Sequence, residues 1–191
     1  MGGMDTCRME FNGKLLKRGF WLYIWDIKED RGRHLYVGRT GDSSSPHASS
    51  PFRRIGQHLD SSLNAKGNAL GRQLENAGIN PETCTFEMTA IGPIFDEQKT
   101  MPEHRPLRDK TAALERALAD ELKRRGYKVL GTHPRAEEPD PALFEQVIGK
   151  LKTAFPLREK EAQRSPRFQP IKLRGEGPSA SEMVIRDRGR F

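Results

Sequence analysis

The chain has 191 residues, of which 31% are charged and 35% hydrophobic, and it carries a net charge of +7. That is enough chain for one domain with a core plus extensions. No apolar run approaches the roughly 20 residues of a membrane span, so no membrane-spanning helix is expected. The opening MGGMDTCRME lacks the apolar stretch of a signal peptide. Cys7 and Cys84 fit neither a metal-ligand spacing nor a disulfide framework, which points to a reducing, cytoplasmic setting. The basic balance favours an anionic partner, nucleic acid being the simplest, although charge by itself specifies none.

In chain order, FWLYIWDI (Phe20 to Ile27) is an unbroken aromatic and β-branched run, the pattern of a central strand buried on both faces. KEDRGR reads as a turn and HLYV, His34 to Val37, as the returning strand. Hairpin parity then puts Tyr23 and Tyr36 on one face, directly opposite or two residues off, because a slip by one would separate them. DSSSPHASS is a polar loop. A helix starts after it, with Ser50 as N-cap and Pro51 in the first position. Phe52, Ile55 and Leu59 form its expected buried stripe, while Arg54 and His58, four apart, project from an adjacent face. NALGRQLENAG is a second helix, with Leu70 and Leu74 inward and a stop at Gly78. CTFEMTAIGPI is a third strand, alternating Phe86, Met88 and Ala90.

Residues 96–110 read as a charged connection. DKTAALERALADELKRRGY is a helix with Leu114, Leu118 and Leu122 at four-residue spacing and Gly126 as its stop. VLGTHP follows, and PALFEQVIGKLKTAF is a last amphipathic helix whose apolar positions either pack back on the domain or form a dimer contact. The expected fold is therefore α/β: a small mixed sheet of three strands, including an N-terminal hairpin, flanked by helices. An extension (1–18), a main domain (19–134), a helical extension (135–156) and a flexible, arginine-bearing tail (157–191) make up the chain. The assembly is a monomer or a homodimer.

Taken singly, these residues have plain explanations. Tyr23 and Tyr36 make a cross-strand aromatic pair, and Arg54, His58 and Glu115 pass for ordinary helix positions. Asp120 and Glu121 compete with Glu115, which is preferred because it directly follows Leu114 at the border of the buried stripe. Taken in order, WLY (Trp21 to Tyr23), YVG (Tyr36 to Gly38), Arg54 with His58, and Glu115 in ALERAL resemble the signature of the GIY-YIG nuclease superfamily over roughly 19–134.

The resemblance implies an endonuclease that hydrolyses DNA phosphodiester bonds to 5′-phosphate and 3′-hydroxyl ends. It implies one divalent cation, Mg²⁺ with Mn²⁺ as a substitute, held by Glu115, since Mg²⁺ keeps most of its water. Arg54 would grip the phosphate as a planar fork. Gly38, Arg39 and Thr40 would lie against substrate, the glycine allowing close approach. A tyrosine would take the proton of the attacking water. Which one is open: Tyr23 is favoured, with Tyr36 positioning the water, and Arg39, Arg54 and the metal are expected to lower the phenol's pKa. His58 would contact phosphate or relay a proton.

The sequence departs from the signature in three places. Trp21 stands where the first motif has glycine, and the connection from Gly38 to Arg54 is long, so DSSSPHASS could reach toward substrate. Thr132 or His133 stands in for an asparagine that many members carry after the metal-binding helix. The competing expectation is a catalytically silent nucleic-acid-binding module on the same scaffold. No helix-turn-helix or zinc-finger pattern indicates which DNA is recognised.

Overall fold

The first strand, β1 (Phe20–Glu29), is buried from Phe20 through Ile27, because strands flank both of its edges and helices cover both faces of the sheet. The structure, a computed structural model, describes residues 4, 6–30, 32–62, 65, 67–133 and 137–158. Residues 159–191, most of the expected tail, lie outside the described residues. β2 (Gly32–Arg39) and β3 (Thr85–Phe95) flank β1, both antiparallel to it. The turn between β1 and β2 is tighter than expected, because β1 runs on to Glu29 and β2 begins at Gly32.

The sheet has four strands rather than three, in the order β3-β1-β2-β4. β4 (Lys128–Leu130) runs parallel to β2, from His34 opposite Lys128 to Tyr36 opposite Leu130. Three residues are too few to show an alternation in sequence. What makes them a strand is the open edge that β2 presents.

Strand parity divides the interior. On one face Leu22, Ile24, Leu35 and Val37 meet Leu114, Leu118 and Leu122 of α3 (Met101–Arg124) and Val147, Ile148 and Leu151 of α4 (Pro141–Leu151). The last helix therefore lays its apolar stripe on the domain core. On the other face Tyr23, Trp25 and Ile27 meet Leu70 and Leu74 of α2 (Ala69–Asn76), with Ile55 and Leu59 of α1 (Pro51–His58) at the border.

Two helices differ from the sequence expectation. In α1 the Ser50 side chain accepts from the Arg53 N–H, as a cap should. Its fully buried residues, however, are Pro51 and His58, and the stripe of Phe52, Ile55 and Leu59 is only half-buried. The side turned toward the sheet is mixed, His58 lying buried while Ile55 and Leu59 pack at the border of the cluster. α3 begins at Met101, inside the segment expected to be a charged connection. Pro102 fits the first turn, where its missing N–H has no partner to lose, and Pro106 lies one turn further in. Two prolines and a run of charges hide the helical period there. Gly126, in the left-handed region at φ 88°, ends the helix as expected.

Candidate active site

Four elements deliver the signature residues to one place at the sheet end where β1 begins and β2 ends. The hairpin register sets Tyr23 opposite Gly38 and Tyr36 opposite Trp25. The two tyrosines are thus two residues off on one face, which is one of the two pairings that parity allowed. α1 lies over them with Arg54 and His58. The His58 ring sits between the tyrosines, its centroid 5.5 Å from each.

Gly38 has a local reason to be glycine. A Cβ there would lie 2.5 Å from the Tyr23 ring, so the residue that needs the space is the tyrosine across the ladder. Tyr23 itself is almost wholly buried. Its hydroxyl is 2.6 Å from His58 Nε2 and 3.2 Å from the Arg39 carbonyl oxygen. One hydroxyl proton serves only one of these acceptors. If it goes to the carbonyl, the His58 Nε2–H donates to the hydroxyl and both contacts are hydrogen bonds. His58 Nδ1 is buried without a partner.

Burial and charge set the protonation states. Burial drives the Tyr23 phenol far above its ordinary value, and Arg54 and Arg39 only partly oppose it. The expected lowering by the two arginines is therefore overturned, because desolvation of a phenolate outweighs their attraction. Tyr36, less buried, is pushed up to about 12, again mainly by burial. His58 is pushed down to about 4 by burial and by Arg54, so its imidazole is neutral at neutral pH. Burial raises the Glu115 carboxyl to about 7 against the pull of Arg39 and Arg54.

Glu115, on α3, reaches this group through Arg39, whose Nε donates to Oε2 at 2.8 Å. The competing carboxylates point elsewhere: Asp120 pairs with Lys123, and Glu121 with Arg124 and Arg125. Arg54 is held at both ends of its fork, Nη2 on Asp42 and Nη1 on Gln57 Oε1 at 3.4 Å. His133 approaches from beyond β4, its Nε2–H donating to the Val37 carbonyl at 3.2 Å. Burial lowers its pKa. Thr132 is exposed.

Thr40 stands apart from the others. It is fully buried, donates to the Gly19 carbonyl at 2.6 Å and accepts from the Trp21 N–H at 2.8 Å. Its hydroxyl braces the strand ends, and both of its bonds are to backbone. Asp42 and Gln57 were not singled out by sequence. Asp42 closes the stretch LYVGRTGD, so proximity to the motif was the one available signal.

Among the described residues, five buried side-chain polar atoms have no hydrogen-bond partner. Four of them belong to this group: Arg39 Nη1, Arg54 Nε, His58 Nδ1 and His133 Nδ1. Buried polar groups are normally satisfied, so such a concentration marks hydrogen-bonding capacity that the protein does not use on itself: donors on the two guanidinium groups and, on His133 with its proton at Nε2, an acceptor.

Comparison with protein-family models, curated proteins and solved structures gives no match. The chemistry of the site is therefore read from its own residues. It combines two guanidinium groups, two phenols, a neutral imidazole and one carboxylate of raised pKa. Such a set can bind a phosphate group, hold one hard cation and move a proton.

Proposed function

We propose that this site hydrolyses phosphodiester bonds in DNA as a GIY-YIG-type endonuclease, leaving 5′-phosphate and 3′-hydroxyl ends. The observation that carries the reading is the pair of buried guanidinium donors without partners, Arg39 Nη1 and Arg54 Nε, beside two phenols, His58 and Glu115. A phosphodiester anion supplies the acceptors that such a group lacks, and Arg54, with Nη1 and Nη2 held by Gln57 and Asp42, has its Nε–H to offer it.

The residues also fit a single divalent cation. Mg²⁺ binds through one or two carboxylates and keeps several waters. Arg39 engages Glu115 through Oε2 alone. No group of three or more His, Cys, Asp or Glu side chains able to hold a metal occurs among the described residues, so Glu115 would share the ion with water and phosphate. A bound cation supplies Lewis-acid stabilisation of the phosphoryl and leaving oxygens.

The protein's own part is proton transfer and alignment. In the tautomer protonated on Nδ1, neutral His58 can take the Tyr23 hydroxyl proton through Nε2 as Tyr23 takes the proton of the attacking water, so that no free phenolate forms in the buried site. Tyr36, on the same face and more open, orients the attacking water. Arg54 holds the phosphate in line.

A silent nucleic-acid-binding module has one observation in its favour: each arginine is already engaged by a carboxylate, Arg39 by Glu115 and Arg54 by Asp42. Cleavage of supercoiled plasmid with Mg²⁺ or Mn²⁺ against EDTA, beside Glu115→Ala, separates the two. Metal-dependent nicking that the variant lacks supports the nuclease. Salt-sensitive binding to plasmid, single-stranded and branched DNA without any cleavage supports the silent module.

A further inference from the structure

The connection between β2 and α1 leads into the polar loop DSSSPHASS from residues that have buried partners. Thr40 is locked to the β1 backbone by its two hydroxyl bonds. Gly41 lies flat on the Phe20 ring, with no room for a Cβ and with φ 81°. His104, fully buried near the start of α3, places Nε2 2.9 Å from the Gly41 carbonyl and Nδ1 3.0 Å from the Pro46 carbonyl. A neutral ring donates to one of these, and a ring protonated on both nitrogens donates to both.

Between these anchors stands Asp42, whose carboxylate takes Arg54 Nη2. With Gln57 on Nη1, the guanidinium is oriented from outside, and its Nε faces the interior without a partner. Arg54 is close enough to Tyr23, Tyr36, His58 and Glu115 to shift the proton affinity of all four. We propose that Asp42 is a positioning residue for Arg54, holding the guanidinium in register with the Tyr23–His58 pair from a loop base made rigid by Thr40, Gly41 and His104. The buried bonds of Thr40 and of the Gly41 carbonyl fix the backbone from which the partly exposed Asp42 carboxylate reaches Arg54, and comparison of the Asp42 variants separates positioning from a displaceable plug. The inference rests on the nuclease reading.

The test is single-turnover and steady-state cleavage of DNA with Mg²⁺ by wild type, Asp42→Ala, Asp42→Asn, Arg54→Ala and the Asp42→Ala/Arg54→Ala double variant. DNA affinity in EDTA and thermal melting are measured on each. Asp42→Ala is expected to lower kcat about 100-fold, the scale of a roughly 1 Å misplacement, with little change in KM. Asp42→Asn keeps an acceptor in the same place and should recover most of that loss. In the Arg54→Ala background Asp42→Ala should cost nothing further, because its whole effect passes through Arg54.

An Asp42→Ala protein that cuts at the wild-type rate overturns the proposal. So does one that loses as much with Arg54 absent as with it present, which would mean general loop damage. Tighter DNA binding and faster cleavage by Asp42→Ala would make the contact autoinhibitory and also overturn it. If wild type itself shows no metal-dependent cleavage, the nuclease reading fails first and the positioning role fails with it.

Discussion

The two faces of the sheet make opposite use of burial. Under α3 and α4, Leu22, Ile24, Leu35 and Val37 are closed off by leucines, valine and isoleucine in one apolar cluster. Under α1, the same sheet buries Tyr23, His58 and much of Arg54, and partner-less nitrogens collect there. Apolar burial stabilises by removing surface from water and asks for no particular partner. Polar burial costs free energy unless every group is satisfied. Both faces therefore contribute apolar burial, the first through Leu22 and its neighbours and the second through Trp25, Ile27, Leu70 and Leu74, but only the second also leaves chemistry unfinished.

If that division is right, variants on the two faces should separate activity from stability. The largest effect is expected from Glu115→Ala, with cleavage falling on the order of 10³-fold, the upper range for losing one electrostatic group. DNA binding in EDTA should be nearly unchanged, because the phosphate contacts remain. A variant that cuts DNA at the wild-type rate with Mg²⁺ would remove Glu115 from the site.

On the same helix as Glu115 but inside the closed cluster, Leu118→Ala opens a hole. It should cost about 2–5 kcal/mol in denaturant unfolding while leaving the rate per folded molecule unchanged. A loss of activity in the folded variant would show that the two faces are not separable.

A pH series sharpens the comparison next. Folding raises the Glu115 carboxyl from its ordinary 4.5 to about 7. The folded state therefore binds that proton more tightly than the unfolded one. The stabilisation is complete below about pH 4.5 and is lost as pH rises through about 7. Relative to Glu115→Gln, wild type should lose about 3 kcal/mol across that window. A flat difference between the two melting curves would mean that the carboxyl is not desolvated.

The smallest expected effect is that of Gly38→Ala. The new methyl meets the Tyr23 ring, and such overpacking costs about 1–3 kcal/mol. Activity should fall further than stability alone accounts for, since Tyr23 must move away from His58. An alanine variant with wild-type cleavage would show that the Tyr23–His58 contact is not needed.

How far the sequence could be read follows from the same physics. Local pattern determined β1 as a doubly buried strand, the Ser50–Pro51 helix start, the α3 leucine stripe and the shared face of Tyr23 and Tyr36. Each of these depends on backbone period or on a neighbour a few residues away. The folded chain alone decided which face of α1 turns inward, because Arg54 and His58 are drawn there by Asp42 and Tyr23 from other segments. It also decided that 128–130 form a strand and that α3 starts at Met101 around a buried His104. The arginines beside the phenols could be seen in the sequence, whereas the depth of burial that outweighs them could not. Periodicity is written along the chain, whereas desolvation and charge pairing exist only once distant segments have been brought together.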